Sequence, residues 1–377
     1  KSLGNNANNE LYLMAWTTTP WTLPSNLGLT VGPSIEYVLI QTFNPYTFLP
    51  INIVLAKALI GKYFKAEAEN LPFEDFKEGD KIIPWKILAN FTGKQLEGTQ
   101  YEQLLPFEAN SIEKIQEETP GAQPFRVITG DFVTTEDGTG IVHTAPAFGA
   151  DDYKVGKKNN IGILTLVDKQ GKFVDGVGEF SGRYVKNYKD EADYTDVNID
   201  ISVKLKKENR AFKVEKYEHS YPHCWRTDKP VLYYPLDSWF IRVTDVRERM
   251  MELNNTINWK PESTGSGRFG KWLENANDWN LSRSRYWGIP IPIWSTAEGD
   301  ERICISSVEQ LKNECEKAVK AGVMAENPLA HFAAGDMSKE NYAQIDLHKN
   351  YVDLITLVSP SGKPMKREAD LIDVWFD

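Results

Sequence analysis

Three cysteines in 377 residues, Cys224, Cys304 and Cys315, are too few and too scattered for a disulfide framework. A reducing compartment, the cytoplasm, is therefore expected. Long apolar runs are missing as well: nothing approaches the roughly 20 residues of a membrane helix, and the polar opening to about Glu10 has no signal-peptide character. This predicts a soluble chain without a membrane partner. Nor is there an excess of positive charge, since Lys+Arg 43 against Asp+Glu 53 gives net charge −10. Any nucleic acid must then be met by local basic patches rather than by the overall field. What remains is a chain 41% hydrophobic and 25% charged, long enough for a sizeable core in two or three domains. Eleven tryptophans are many for its size, and several sit in short motifs.

One stretch organises the rest. Residues 138–152, Gly138-Thr-Gly-Ile-Val-His143-Thr-Ala-Pro-Ala-Phe-Gly-Ala-Asp-Asp152, predict a buried strand that runs into a glycine-proline turn and ends at paired carboxylates. Gly138 and Gly140 remove side chains where backbone or ligand must come close, and Ile141 and Val142 carry the strand propensity. His143 closes the strand before Pro146 and Gly149 turn the chain. Asp151 or Asp152 then caps a helix that begins near Tyr153. A carboxylate at a helix N-terminus stays ionised and can hold an amino group, although an ordinary cap would use the same residues.

Near the start, a short apolar strand from Leu11 to Trp16 runs into Thr17, Thr18, Thr19 and Pro20. Strand propensity alone explains many threonine runs. Here Pro20 lacks a backbone donor and biases Thr19 to an extended shape, so pairing stops where three hydroxyls line up. Such a group suits a ribose, an ester oxygen or a water. Residues 21–26 make a second turn ending at Asn26, and residues 27–40 alternate like a strand.

Together, Trp16-Thr-Thr-Thr-Pro-Trp-Thr-Leu-Pro-Ser-Asn26 and residues 138–152 resemble the editing domain inserted in the isoleucyl-tRNA synthetase family of class I aminoacyl-tRNA synthetases. The valyl and leucyl families are similar but typically read Thr-Thr-Arg-Pro, so Thr19 and Trp21 favour the isoleucyl family. The resemblance implies a pocket that hydrolyses valine wrongly attached to isoleucine tRNA and spares isoleucyl-tRNA. Thr17, Thr18, Thr19 and Asn26 would line one wall, His143 another, and Asp152 would hold the α-ammonium group. Asp151, one residue early, is the lesser anchor. The ester is already activated, so donors and a positioned water suffice, without a metal or other cofactor and without a protein general base. The family is thought to lean on the tRNA's own terminal hydroxyl. A second sieve is needed because one methylene is worth only about 1–3 kcal/mol, a limit for which this family is itself the standard example. The implied partner is the acceptor end of tRNA(Ile), and the implied state a monomer. A non-catalytic module that binds the acceptor end is the alternative.

The remaining stretches fill in the organisation. Between 41 and 137, extended patches alternate with charged loops, and residues 125–129 and 131–135 read as strands. Gly171, Gly176, Gly178 and Gly182 punctuate strands from Asp168 to Asn187; residues 192–207 read as one or two helices, with Lys204, Lys206 and Lys207 forming a solvated face or meeting tRNA. His219, His223 and Cys224 invite a metal reading but lack a companion cluster. Pro222-His-Cys-Trp-Arg226, residues 234–240 and residues 278–294 resemble the family's return to its catalytic body, where Arg283 and Arg285 bind phosphate or pair with carboxylates. Residues 244–254 and 307–321 predict amphipathic helices, and another begins near Ser338. Gly335-Asp-Met-Ser-Lys-Glu340 mimics the family's ATP loop without its leading lysine and final serine, and no His-Ile-Gly-His-type motif occurs. The resemblance thus leaves ATP and Mg to a longer parent enzyme that ligates isoleucine. The expected fold class is α/β, in three parts: a mixed barrel-like editing domain (1–213), a connecting segment with part of a Rossmann-type catalytic body (214–294), and a small helical insertion with the start of a returning catalytic segment (295–377).

Overall fold

The computed structural model describes residues 10–188, 192, 194–218 and 220–376. The polar opening, part of the 192–207 stretch, His219 and Asp377 lie outside the described residues. The chain divides into two compact units, Lys1–Pro235 and Leu236–Asp377.

The first unit holds strands β1 (Glu10–Leu13), β2 (Gly28–Val31), β3 (Glu36–Phe43), β4 (Pro50–Ala56), β5 (Lys86–Thr92), β6 (Arg126–Thr129) and β7 (Ile141–Thr144). One sheet runs β1-β4-β3-β5 and a second runs β6-β2-β7. Trp16 bridges Val142, and the Ala56 amide donates to the Thr139 carbonyl at 2.9 Å, so the sheets meet at the stretch before β7. Among the described residues they do not close a barrel. The stretch 27–40, which alternates as one strand, is split into β2 and β3 because Pro33 cannot pair and the chain turns at Pro33 and Ser34.

Strand alternation sorts the side chains into layers. Tyr37, Val54 and Ala56 from the first sheet pack with Leu29, Val31, Val127 and Ile141 from the second. Val38, Ile40, Ile51 and Ile53 face the other way, onto Phe64 and Trp85. Behind the second sheet, Ile128 joins Trp21, Leu27, Ile161 and the apolar face of helix Val197–Lys207, namely Val197, Ile201 and Leu205. This helix is capped by Asp196, and Lys204 on it is engaged by Glu179 at 3.1 Å and Glu208 at 2.8 Å.

Two local expectations fail. Residues 131–135 form turns rather than a strand, and between 167 and 184 only isolated bridges form, Val167 with Phe173 and Lys172 with Tyr184. There the glycines serve turns. The compact unit also reaches past 213: Leu232 and Tyr234 pack against its core, and the Tyr234 hydroxyl donates to the Val167 carbonyl at 2.9 Å.

In the second unit, strands Arg302–Cys304, Ile293–Ser295, Pro364–Arg367 and Thr356–Val358 form an antiparallel sheet in that order. Helix Val308–Lys320, capped by Ser307, lays Leu311 and Cys315 against Trp294, Leu357 and Met365. The part expected as a helical insertion is therefore a small α/β body. Its strands, three or four residues long, are too short for alternation to stand out. Every pairing described in this unit is antiparallel, unlike the parallel sheet of a Rossmann body. Helix Arg247–Asn254 and the Ser338 cap of Lys339–Tyr342 agree with the expectation. No helix among the described residues is long and apolar enough to cross a membrane.

Candidate active site

Thr17, Thr18, Thr19, His143 and Asp152 line one cavity of about 310 Å³ in the first unit. Pro20 opens a 3-10 helix, Pro20–Ser25, and so turns the chain directly after the threonines, beyond the end of β1 at Leu13. The Thr17 hydroxyl accepts from the Thr19 amide at 3.0 Å and lies 3.4 Å from the Thr19 hydroxyl. The Trp21 amide donates to Asn198 Oδ1 at 2.9 Å, which ties this helix to Val197–Lys207.

His143 sits opposite Leu29 in the pairing of β2 with β7 and is 8% exposed. Its Nε2 lies 3.0 Å from the Thr22 hydroxyl and its Nδ1 2.8 Å from Asn26 Nδ2. Burial holds its pKa down at about 4, so the ring is neutral at pH 7. A ring with both nitrogens engaged is a rigid wall and a poor base. Asn26 is not on the cavity surface: it is buried behind His143, where its Oδ1 accepts from the Tyr101 hydroxyl at 2.6 Å. Reading the sequence missed Thr22 and Tyr101. Thr22 lies within the N-terminal motif, but no local pattern says which hydroxyl meets the ring; Tyr101, in a loop, carries no signal at all.

Asp152 belongs to the first turn of helix Ala150–Lys158, whose cap is Gly149. Neither aspartate caps it, and the helix starts three residues before Tyr153. The Asp152 carboxylate accepts from the Ala145 amide at 3.3 Å. Burial pushes its pKa up to about 6, against the pull of backbone hydrogen bonds from Ala145 and Asp152 itself. The expected ionised carboxylate is thus kept at pH 7, but burial outweighs the helix terminus. Asp151 is exposed and faces Lys154 at 3.8 Å.

Backbone shape makes the floor. Gly140 has φ +74° and a side chain there would lie 2.5 Å from the Ala56 Cβ; its carbonyl accepts from the Tyr37 hydroxyl at 2.6 Å. Gly138, φ +67°, lies against the Trp16 ring. The cavity offers hydroxyls on one side, a neutral imidazole on another, and one half-buried carboxylate for a cation. Thr22, which also lines it, has its hydroxyl 3.0 Å from His143 Nε2 but directs its own hydrogen to the Thr19 carbonyl at 2.9 Å, so the imidazole does not act as its base.

Other candidates resolve differently. Arg283 pairs with the buried Asp373 carboxylate, the structural alternative of the two considered. Among the described residues no three His, Cys, Asp or Glu gather as a metal site. Cys224 closes a short loop, its amide donating to the Lys229 carbonyl at 2.8 Å, and hydrogen bonds, first from the Thr227 side chain, bring its thiol down to about 7.

The chain is 58% identical over 392 residues to an isoleucine–tRNA ligase of Cytophaga hutchinsonii, covering 98% of this chain and 33% of that protein. It is 55% identical over 397 residues to one of Bacteroides fragilis, covering 97% and 34%. It spans about a third of the length of the curated relatives it matches. Among solved structures, a leucyl-tRNA synthetase editing domain of P. knowlesi matches at 11% identity and TM-score 0.32, over 60% of this chain and 84% of that one, too loosely to bear on it. The profile described as tRNA synthetases class I (I, L, M and V) matches residues 74–377. With that profile covering most of its length, the chain belongs to the class I tRNA synthetases of this group.

Proposed function

We propose that the first unit hydrolyses valine from mischarged tRNA(Ile) and spares isoleucyl-tRNA(Ile), as the editing part of an isoleucyl-tRNA synthetase. The observation that carries this reading is the single cavity joining the threonine turn, the locked neutral His143 and the Asp152 carboxylate. The α-ammonium group would pair with Asp152, the ester would lie along the Thr17–Thr19 hydroxyls, and a water or the tRNA's terminal hydroxyl would be oriented there without a protein base. His143 would exclude the extra methylene, because overlap with a rigid wall is costly. Isoleucine ligation with ATP and Mg belongs, on this reading, to the longer protein. The partner is the acceptor end of tRNA(Ile), bound by a monomer in the cytoplasm.

That Thr22 points its hydrogen to the Thr19 carbonyl rather than to the imidazole favours a second reading, a module that binds the acceptor end and leaves the ester intact. Deacylation assays separate the two. The chain is expected to release valine faster than buffer does and to leave isoleucyl-tRNA alone, whereas His143→Ala should also cleave isoleucyl-tRNA, moving the rate ratio roughly 10-fold or more. Valine release no faster than in buffer, with retention of the mischarged tRNA in a filter-binding assay, would favour the binding module instead.

A further inference from the structure

The proton positions around His143 can be followed atom by atom. Asn26 Nδ2 lies 2.9 Å from the Gly28 carbonyl and 2.8 Å from His143 Nδ1. An amide turned over would set its oxygen against the Gly28 oxygen, so the nitrogen must be the atom placed there. Its two hydrogens then go one to Gly28 and one to His143, which leaves Nδ1 as the bare, accepting nitrogen. The ring hydrogen is on Nε2 and points to the Thr22 hydroxyl at 3.0 Å. Thr22 passes its own hydrogen to the Thr19 carbonyl at 2.9 Å. The remaining acceptor, Asn26 Oδ1, is filled by Tyr101, whose ring lies edge-on to Phe125 with centroids 6.2 Å apart and whose amide donates to the Phe125 carbonyl at 2.9 Å. Each hydrogen in this chain has one acceptor, and the chain ends at the threonine turn.

We infer that Tyr101 and Asn26 are positioning residues that clamp His143 in its neutral form with the hydrogen on Nε2, so that the ring is aimed by a residue outside the cavity. The effect on selectivity rests on the reading of His143 as the excluding wall; the clamp itself does not. Tyr101 touches no lining residue through this bond except by way of Asn26. Its hydroxyl is the donor that keeps the amide oxygen from seeking another partner, and the amide in turn keeps the ring from swinging about its Cβ–Cγ bond.

Histidine-labelled nitrogen spectra of the full 377-residue chain test this, with the His143 signals assigned by comparison with His143→Gln. Wild type should show a protonated Nε2 and a bare, hydrogen-bonded Nδ1. Tyr101→Phe keeps the ring packing and should fold; its Nδ1 signal should move towards that of a free imidazole in water. In deacylation, the same variant should raise the isoleucyl-to-valyl rate ratio about 3-fold to 10-fold while valyl cleavage stays within about 2-fold, a split that a general loss of stability would not produce. A wild-type ring protonated on Nδ1 overturns the clamp without any variant, as does an unmoved Nδ1 signal in folded Tyr101→Phe. A moved signal with an unchanged ratio upholds the clamp and removes His143 from its role as the wall.

Discussion

At Asp152, burial and the proposed role pull against each other. Its folded pKa of about 6 is raised above the ordinary 3.8, so folding favours the protonated form. The stability this lends is complete below about 3.8 and is lost as pH rises through about 6, so at neutral pH the ionised carboxylate weakens the fold. Asp152→Asn should therefore stabilise the chain at pH 8 by about 1–2 kcal/mol in urea unfolding, an advantage that shrinks as the pH falls from 6 towards 3.8. The same variant should slow valyl-tRNA cleavage by roughly 10-fold to 100-fold, since a charge-assisted contact is lost. Wild-type kcat/KM should itself fall as pH drops through about 6. An Asp152→Asn chain that is less stable at pH 8, or one that edits at full rate, would refute this account. The residues alone left Asp151 and Asp152 open, and only the family resemblance favoured Asp152, the one of the two that lines the cavity. Its charge state was not legible, because burial is made by packing that the local motif does not contain. Asn26 was placed on the wall for a similar reason, since only the pairing of β2 with β7 shows that it stands behind the ring.

Among the elements, β7 depends on how the chain enters it. Gly140, at φ +74°, would carry a Cβ 2.5 Å from that of Ala56, so Gly140→Ala combines left-handed strain with overlap against β4. A loss of about 2–4 kcal/mol is expected, with the cavity floor distorted as well. Gly182 is the control, because its φ of +73° is similar but its surroundings are open; Gly182→Ala should lose only about 1–2 kcal/mol. Equal losses in chemical denaturation would mean that the contact with Ala56 is not what the glycine serves. Elements with strong local punctuation were legible, such as the helix that Ser307 caps and the strand at Arg126–Thr129. Residues 131–135 mislead because their strand propensity is overridden by a turn at Asp131 and Phe132. The strands from Ile293 to Arg367 stay hidden because Arg302, Lys366 and Ser295 interrupt any apolar rhythm.

For the molecule as a whole, the first unit should stand alone only if cut after Pro235. The editing part expected over 1–213 ends earlier than the compact unit, whose core Leu232 and Tyr234 join by contacts that no local composition reveals. Residues 1–235 are expected to unfold cooperatively and to retain valyl-tRNA cleavage, whereas 1–213 should be less stable by about 2–4 kcal/mol through the loss of two partly buried side chains and a partly buried hydrogen bond. Matching melting curves for the two lengths would place the boundary at 213 after all. The scarcity of cysteine has a consequence of another kind. Cys224, with its thiol near 7, is about half thiolate at neutral pH, while Cys315 is buried and pushed up to about 11. Limiting iodoacetamide at pH 7 should alkylate Cys224 ahead of exposed Cys304, read by peptide mass, and leave Cys315 untouched until the second unit opens. The chain thus carries a natural dye-attachment point on the unit that holds the cavity and a latent thiol that reports when the other unit comes apart.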